Sequence, residues 1–268
     1  MSEHYISERI PVPAAFDKVF THFYKAANNS NEAVRKTLLP SYQTIMVFSF
    51  GTPVSFTSQQ QTSITPDNCL VIGPIKQPID YTLPAGAEIL VANFKADAFY
   101  RFFGQALIIA THPDELLGET CFSKLWSQLK DISTATGRVQ YILDFCEPYL
   151  RDSDNLSERI TQMMPEATVV NPVKIVARET QQSERSVQMK HKAQFGYSVK
   201  EITRYQRFLK AIELVQQQAT EAKKVDWFDI VHECGYYDQS QLINDFKHYV
   251  HLSPTQFLKF QEDICMAG

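Results

Sequence analysis

The stretch that most constrains this chain is Val225–Phe257, VDWFDIVHECGYYDQSQLINDFKHYVHLSPTQF. It reads as a short helix, a tight turn at Gly235, a second helix opening at Asp238 and a third opening at Ser253-Pro254. Phe228, Ile230 and Val231 are expected to form one buried face, while Leu242, Phe246 and Val250 recur at helical spacing. This is the grammar of a helix-turn-helix, a unit whose second helix enters the major groove of DNA.

Bulk properties leave room for such a unit and for more. A chain of 268 residues holds one large domain or two ordinary ones, and 44% apolar with 21% charged residues is a globular composition. No apolar run approaches the roughly 18 residues of a membrane span. The opening MSEHYISERIPVP lacks the apolar core of a signal peptide, so a cytoplasmic location and no membrane partner are expected. Cys69, Cys121, Cys146, Cys234 and Cys265 have no C-x-x-C spacing, which fits reduced, mostly buried thiols. The seven histidines form no H-x-H or H-x-x-x-H pair, so neither a metal nor another cofactor is expected. Charge is uneven. Residues 171–260 carry 13 Lys+Arg against 10 Asp+Glu, and residues 1–170 carry 13 against 18, so the carboxyl-terminal third is the basic end.

Residues 1–30 hold an apolar set at Phe16, Val19, Phe20 and Phe23 that predicts one short helix. Strands are predicted at Gln43–Phe50, Val54–Phe56, Cys69–Ile72, Ile75–Leu83 and Glu88–Phe94, parted by turns rich in Gly, Pro and Asn. Asp97–Phe103 then reads as a helix ended by Gly104. Phe122, Leu125, Trp126, Leu129 and Ile132 make an amphipathic helix, and Val139, Ile142, Leu143, Cys146 and Leu150 make another. The polar run RDSDNLS sets the expected domain boundary, giving domains 1–152 and 153–268. The fold class is α+β in two domains. An amino-terminal β sandwich or barrel, cupin-like among the options, is followed by helices and then by an all-α domain of two helix-turn-helix units joined by a long helix.

Helix punctuation in the second domain is clean. Asn171-Pro172, Ser183, Asp226 and Asp238 are N-cap candidates, and Ser198–Glu201 and Ser253–Gln256 have capping-box spacing. Gly196 ends one helix, a long one follows through Phe208, Ile212 and Val215, and Gln216–Lys224 is expected as a polar link. A weak repeat emerges: VKIVARETQQSERSVQMKHKAQFGYSVKEI parallels FDIVHECGYYDQSQLINDFKHYVHLSPTQF. Two such units read successive major grooves, about 34 Å apart on one DNA face.

The second unit resembles the AraC/XylS family of bacterial transcription regulators through Ile230, Cys234-Gly235-Tyr236, Asp238-Gln239-Ser240, Leu242, Phe246-Lys247, Ser253-Pro254 and Phe257. The first adds Ala177, Ser183-x-Arg185, Gly196-x-Ser198 and Arg207-Phe208-x-x-Ala211. The resemblance implies a regulator that is not an enzyme, with double-stranded DNA as partner and an amino-terminal domain that senses a small molecule or mediates homodimerisation. RNA polymerase is a further partner if the protein activates. Four positions depart from the family pattern: His191 for a buried Phe, Met189 and Asn244 for frequent Arg, and His251 for a closing Gly.

On the first recognition helix Val187 and His191 face inward, which leaves Arg185, Gln188, Met189 and Lys192 towards base edges. Arg pairs with guanine, Gln with adenine, and Met meets only apolar surface such as a thymine methyl. Gln239, Gln241 and Asn244 are the base-reading candidates of the second. Ser183, Lys190, Ser240, Lys247 and His248 are assigned to the DNA backbone, where contacts fix register without reading sequence. In the first domain Phe48, Phe50, Tyr81 and Phe94 either line an apolar ligand pocket or fill a core. Asp114, Glu115 and Glu119 are either paired carboxylates or a solvated turn. No G-x-S-x-G, Walker, H-E-x-x-H or dinucleotide motif is present, so catalysis is not expected. The competing reading is a ligand-binding β domain whose helical part docks a protein and does not bind DNA specifically.

Overall fold

The structure is a computed structural model and describes residues 5–58, 62–107, 110–153, 155–163, 171–220 and 225–259. Cys265, Asp154 of the expected boundary and residues 221–224 of the expected polar link lie outside them. The chain divides into two compact units, the first reaching Ser153.

The first unit is built on two antiparallel sheets. Strands β1 (Tyr5–Ile10), β2 (Phe20–Asn28), β4 (Ile45–Gly51), β7 (Cys69–Ile72) and β9 (Ala87–Phe94) form one in the order β1-β2-β9-β4-β7. Strands β3 (Val34–Leu38), β5 (Ser55–Thr57), β6 (Ser63–Ile64) and β8 (Ile79–Leu83) form the other in the order β3-β8-β5-β6. The sheets pack as a sandwich that is not closed into a barrel.

Strands β4, β7 and β9 of the larger sheet are buried on both faces, and their side chains sort by the two-residue period of a strand. Ile45, Val47, Leu70, Ile72, Ile89 and Val91 join Phe56, Tyr81 and Leu83 of the smaller sheet. Their neighbours Met46, Phe48, Cys69, Val71, Leu90, Ala92 and Phe94 pack against helices. Those helices are α1 (Ala98–Phe103), α3 (Cys121–Lys130) and α4 (Ala135–Cys146). Burial on both sides is why QTIMVFSF reads as an unbroken apolar run rather than an alternating one.

The predicted helix over residues 1–30 is wrong. The segment's described regular structure is two strands, Tyr5–Ile10 and Phe20–Asn28, with a single 3-10 turn at Ala14–Phe16 between them. β2 pairs with β1 on one side and β9 on the other, from Tyr5↔Asn28 to Phe20↔Phe94. FTHFY is rich in aromatic and β-branched residues, and two ladders decide against a local helical spacing that Phe16, Val19 and Phe23 also satisfied. The Ile75–Leu83 strand begins only at Ile79, and β3 and β6 had not been expected.

Short α2 (Pro113–Leu117) resolves the acidic cluster. Asp114 is neither half of a carboxylate pair nor solvated. It accepts bonds from the backbone N–H of Phe122 (2.7 Å) and Ser123 (3.0 Å) and from the Ser123 hydroxyl (2.6 Å), closing the first turn of α3. Burial works to raise its pKa, but the bonds from Ser123 and Phe122 hold it below the usual carboxylate value.

The second unit is helical: α5 (Asn155–Met163), α6 (Pro172–Glu179), α7 (Glu184–Phe195), α8 (Val199–Thr220), α9 (Trp227–Glu233), α10 (Gln239–Val250) and α11 (Pro254–Lys259). No described helix is long and apolar enough to cross a membrane. Cys69, Cys121, Cys146 and Cys234 are free thiols; Cys121 and Cys146 are only half-buried, against the expectation of mostly buried ones.

Candidate nucleic-acid interface and apolar cavity

The two helix-turn-helix units are α6–α7 and α9–α10, and their caps are those the sequence proposed. The Asn171 carboxamide oxygen accepts from the N–H groups of Val173 and Lys174, and the Ser183 hydroxyl from Ser186 N–H. Asp226 accepts from Phe228 and Asp229, and Asp238 from Gln241 at 2.8 Å. Both capping boxes close: Ser198 N–H donates to Glu201 and Glu201 N–H to Ser198 Oγ, with the same exchange between Ser253 and Gln256. Between the units α8 runs 22 residues, or about 33 Å at 1.5 Å per residue, instead of stopping before Gln216.

Each recognition helix has a buried stripe and an open face. On α7, Val187 and His191 are buried, Val187 in one cluster with Val173, Val176 and Ala177. His191 stands where an aromatic hydrocarbon fits, yet keeps a polar partner: Nδ1 lies 3.0 Å from the Tyr197 carbonyl. A carbonyl only accepts, so Nδ1 carries the proton and donates. Burial lowers the imidazole pKa to about 4, which leaves the ring neutral at physiological pH. Arg185, Gln188, Lys190 and Lys192 are exposed, and Met189 is 64% exposed although apolar.

On α10 the buried stripe is Leu242, Asp245, Phe246, Tyr249 and Val250. Gln239, Ser240, Asn244 and Lys247 are exposed. Gln241 is exposed too, but its side-chain carbonyl accepts from Tyr237 N–H at 3.2 Å. His248 is half-buried, with a pKa lowered by burial and then by Arg204. His251 ends the helix in the left-handed conformation, φ 58°, where a glycine is least strained.

Two expectations about this unit fail. Phe228 does not belong to a buried face: it is 78% exposed, and Val231 is only half-buried, so Ile230 alone of the three is a core residue. Tyr237, in the turn ahead of α10, is 91% exposed and had not been singled out. Asp245 was also overlooked. It is 1% exposed, with Arg204 Nε 2.7 Å from Oδ1 and Arg207 Nη2 3.4 Å from Oδ2. The signal was available, because an acidic residue three after Leu242 and four before Tyr249 falls on the apolar stripe.

The first unit holds a cavity of about 280 Å³ between the larger sheet and the helices. Phe48 and Phe94 line it, with Phe20, Phe102, Phe103 and Phe122 completing an aromatic wall and Glu119 and Arg151 supplying charge. Phe50 and Tyr81 do not line it. Phe50 stacks on Trp126 and lies beneath the Arg138 guanidinium, 4.0 Å from its ring centroid; Tyr81 belongs to the core between the sheets, beside Phe56.

Residues 176–259 match a family model described as a helix-turn-helix domain. The second unit therefore contains a helix-turn-helix domain. No curated protein sequence matches the chain. Among solved structures it is similar to ToxT from Vibrio cholerae, 10% identical over 96% of this chain and 98% of that one, with a TM-score of 0.46. ToxT bound to (E)-4-(8-methylnaphthalen-1-yl)but-3-enoic acid is 11% identical over 96% and 99%, with a TM-score of 0.45. A cupin protein from Desulfovibrio desulfuricans is 12% identical over 35% of this chain and 85% of that one, with a TM-score of 0.28.

Proposed function

We propose that the protein is a sequence-specific regulator whose two recognition helices, α7 and α10, read successive major grooves under control of a small apolar effector. The observation that carries the DNA reading is the division of both helices into a buried, mainly apolar stripe and an open face of groups able to hydrogen-bond to bases. Arg185, Gln188 and Lys192 open from α7, and Gln239, Gln241 and Asn244 from α10. Ser183, Lys190, Ser240 and Lys247 serve the backbone, and Met189 offers an apolar contact to a thymine methyl. The charged side chains lie mainly on the first unit, so affinity comes chiefly from α7 and discrimination from both.

An aromatic cavity of about 280 Å³ supports the effector reading. Its lining favours a mostly apolar molecule, with any polar end towards Arg151 or Glu119. A mobility-shift assay with the full chain and its own upstream DNA across a salt series tests the first half. A specific complex that outlasts random DNA as salt rises is expected, and its absence at every salt refutes specific reading. For the second half, thermal shifts against a panel of apolar metabolites should fall on the wild type and vanish in Ala92→Phe, which fills the cavity. Equal shifts in both proteins refute the assignment of the cavity.

A further inference from the structure

The buried carboxylate on the second recognition helix has a function that packing alone does not require. Rings already seal the α8–α10 contact: Phe208 lies 5.1 Å from Phe246 and 4.7 Å from Tyr249, and Tyr205 lies 5.3 Å from Tyr249. Such contacts hold two helices together but are poor at fixing rotation, because neighbouring rotamers bury nearly the same area. A buried carboxylate held by two cations is directional, and such a cluster gains little stability over apolar residues standing in for all its members. Asp245 is held at both oxygens by separate cations one helical turn apart on α8, Arg204 on Oδ1 and Arg207 on Oδ2. The Arg207 guanidinium also lies over the Tyr236 ring, 4.4 Å from its centroid, so the clamp reaches the turn that precedes α10.

We infer that Asp245 is a positioning residue for DNA reading, its carboxylate fixing the angle at which α10 presents Gln239, Gln241 and Asn244. The repeat sharpens the point. Counting from the caps Ser183 and Asp238, the counterpart of Asp245 is Lys190, which is exposed. The first unit reads with long charged side chains that tolerate some misaim. The second reads with short neutral amides. A rotation of roughly 20° carries a side chain about 5.5 Å from the helix axis through about 2 Å, which is enough to break an amide–base hydrogen bond.

This inference rests on the proposal that α10 reads bases. The full chain is used to select duplexes from a randomised library, and the half of the motif owed to α10 is assigned with Asn244→Ala. For Asp245→Asn, the first half of the motif should survive while base preference in the α10 half falls about tenfold. The triple variant Asp245→Leu with Arg204→Met and Arg207→Met, which replaces the whole cluster with apolar groups, should melt at or above the wild type and still not regain that preference, which separates positioning from stability. Should it fail to fold, Arg207→Lys, which keeps a charge but loses the planar fork, should weaken the same half. An unchanged α10 half in Asp245→Asn, or its recovery in the triple variant, overturns the inference. A wild type that selects no second half overturns the reading of DNA by α10 and the inference with it.

Discussion

Replacing His191 by Phe should remove a pH dependence that the wild type carries. The imidazole is 2% exposed, and burial lowers its pKa from 6.5 to about 4. Between those values the unfolded chain binds a proton that the folded chain refuses, so the wild type loses stability as pH falls. The contribution is complete above pH 6.5 and is lost as pH falls towards 4. At 1.36 kcal/mol per pKa unit it amounts to about 0.8 kcal/mol at pH 6, about 2 kcal/mol at pH 5 and about 3 kcal/mol at full loss. Phenylalanine does not titrate, and the carboxylates that protonate at low pH are common to both proteins and cancel in the difference. The chain has two tryptophans, Trp126 in the first unit and Trp227 in the second, so Trp227 fluorescence in a Trp126→Phe background reports the helical unit. Urea unfolding of both proteins at pH 7.5, 6 and 5 should show the wild type losing ground on His191→Phe by about 2 kcal/mol at the lowest pH. A difference that stays constant across this range refutes the buried neutral imidazole.

Three further outcomes are expected. Arg185→Ala should weaken specific binding by roughly 1–3 kcal/mol and relax one base position, checked by titration against selected and single-base-altered duplexes. His251→Gly should raise stability by about 1 kcal/mol, because φ 58° strains a residue with a Cβ, and urea midpoints at unchanged slope would show it. Asp114→Ala should cost about 1–2 kcal/mol by stripping the first turn of α3 of its acceptors, seen as earlier hydrogen exchange at Phe122 and Ser123.

The helical unit was legible almost residue by residue because its information is local. Asn171, Ser183, Ser198, Asp226, Asp238 and Ser253 each announce a helix start within four residues, and each makes the bond its spacing implies. The β unit was less legible because its information is distant. Phe20–Asn28 is a strand on account of partners at residues 5–10 and 87–94, which no window around Phe23 contains. The cavity was half legible for the same reason: Phe48 and Phe94 face it, while the alternation of one sheet against another sends Tyr81 elsewhere. Phe228 misled because hydrophobicity names a candidate for burial without supplying the neighbour that buries it.

The central claim is that two helix-turn-helix units joined by about 33 Å of α8 read one face of DNA, and hydroxyl-radical footprinting of a selected duplex tests it most directly. Two protected patches, one helical turn or about 10 base pairs apart on the same face, are predicted, the second lost in Asn244→Ala and the first in Arg185→Ala. A single patch, or two that respond alike to both substitutions, would contradict it.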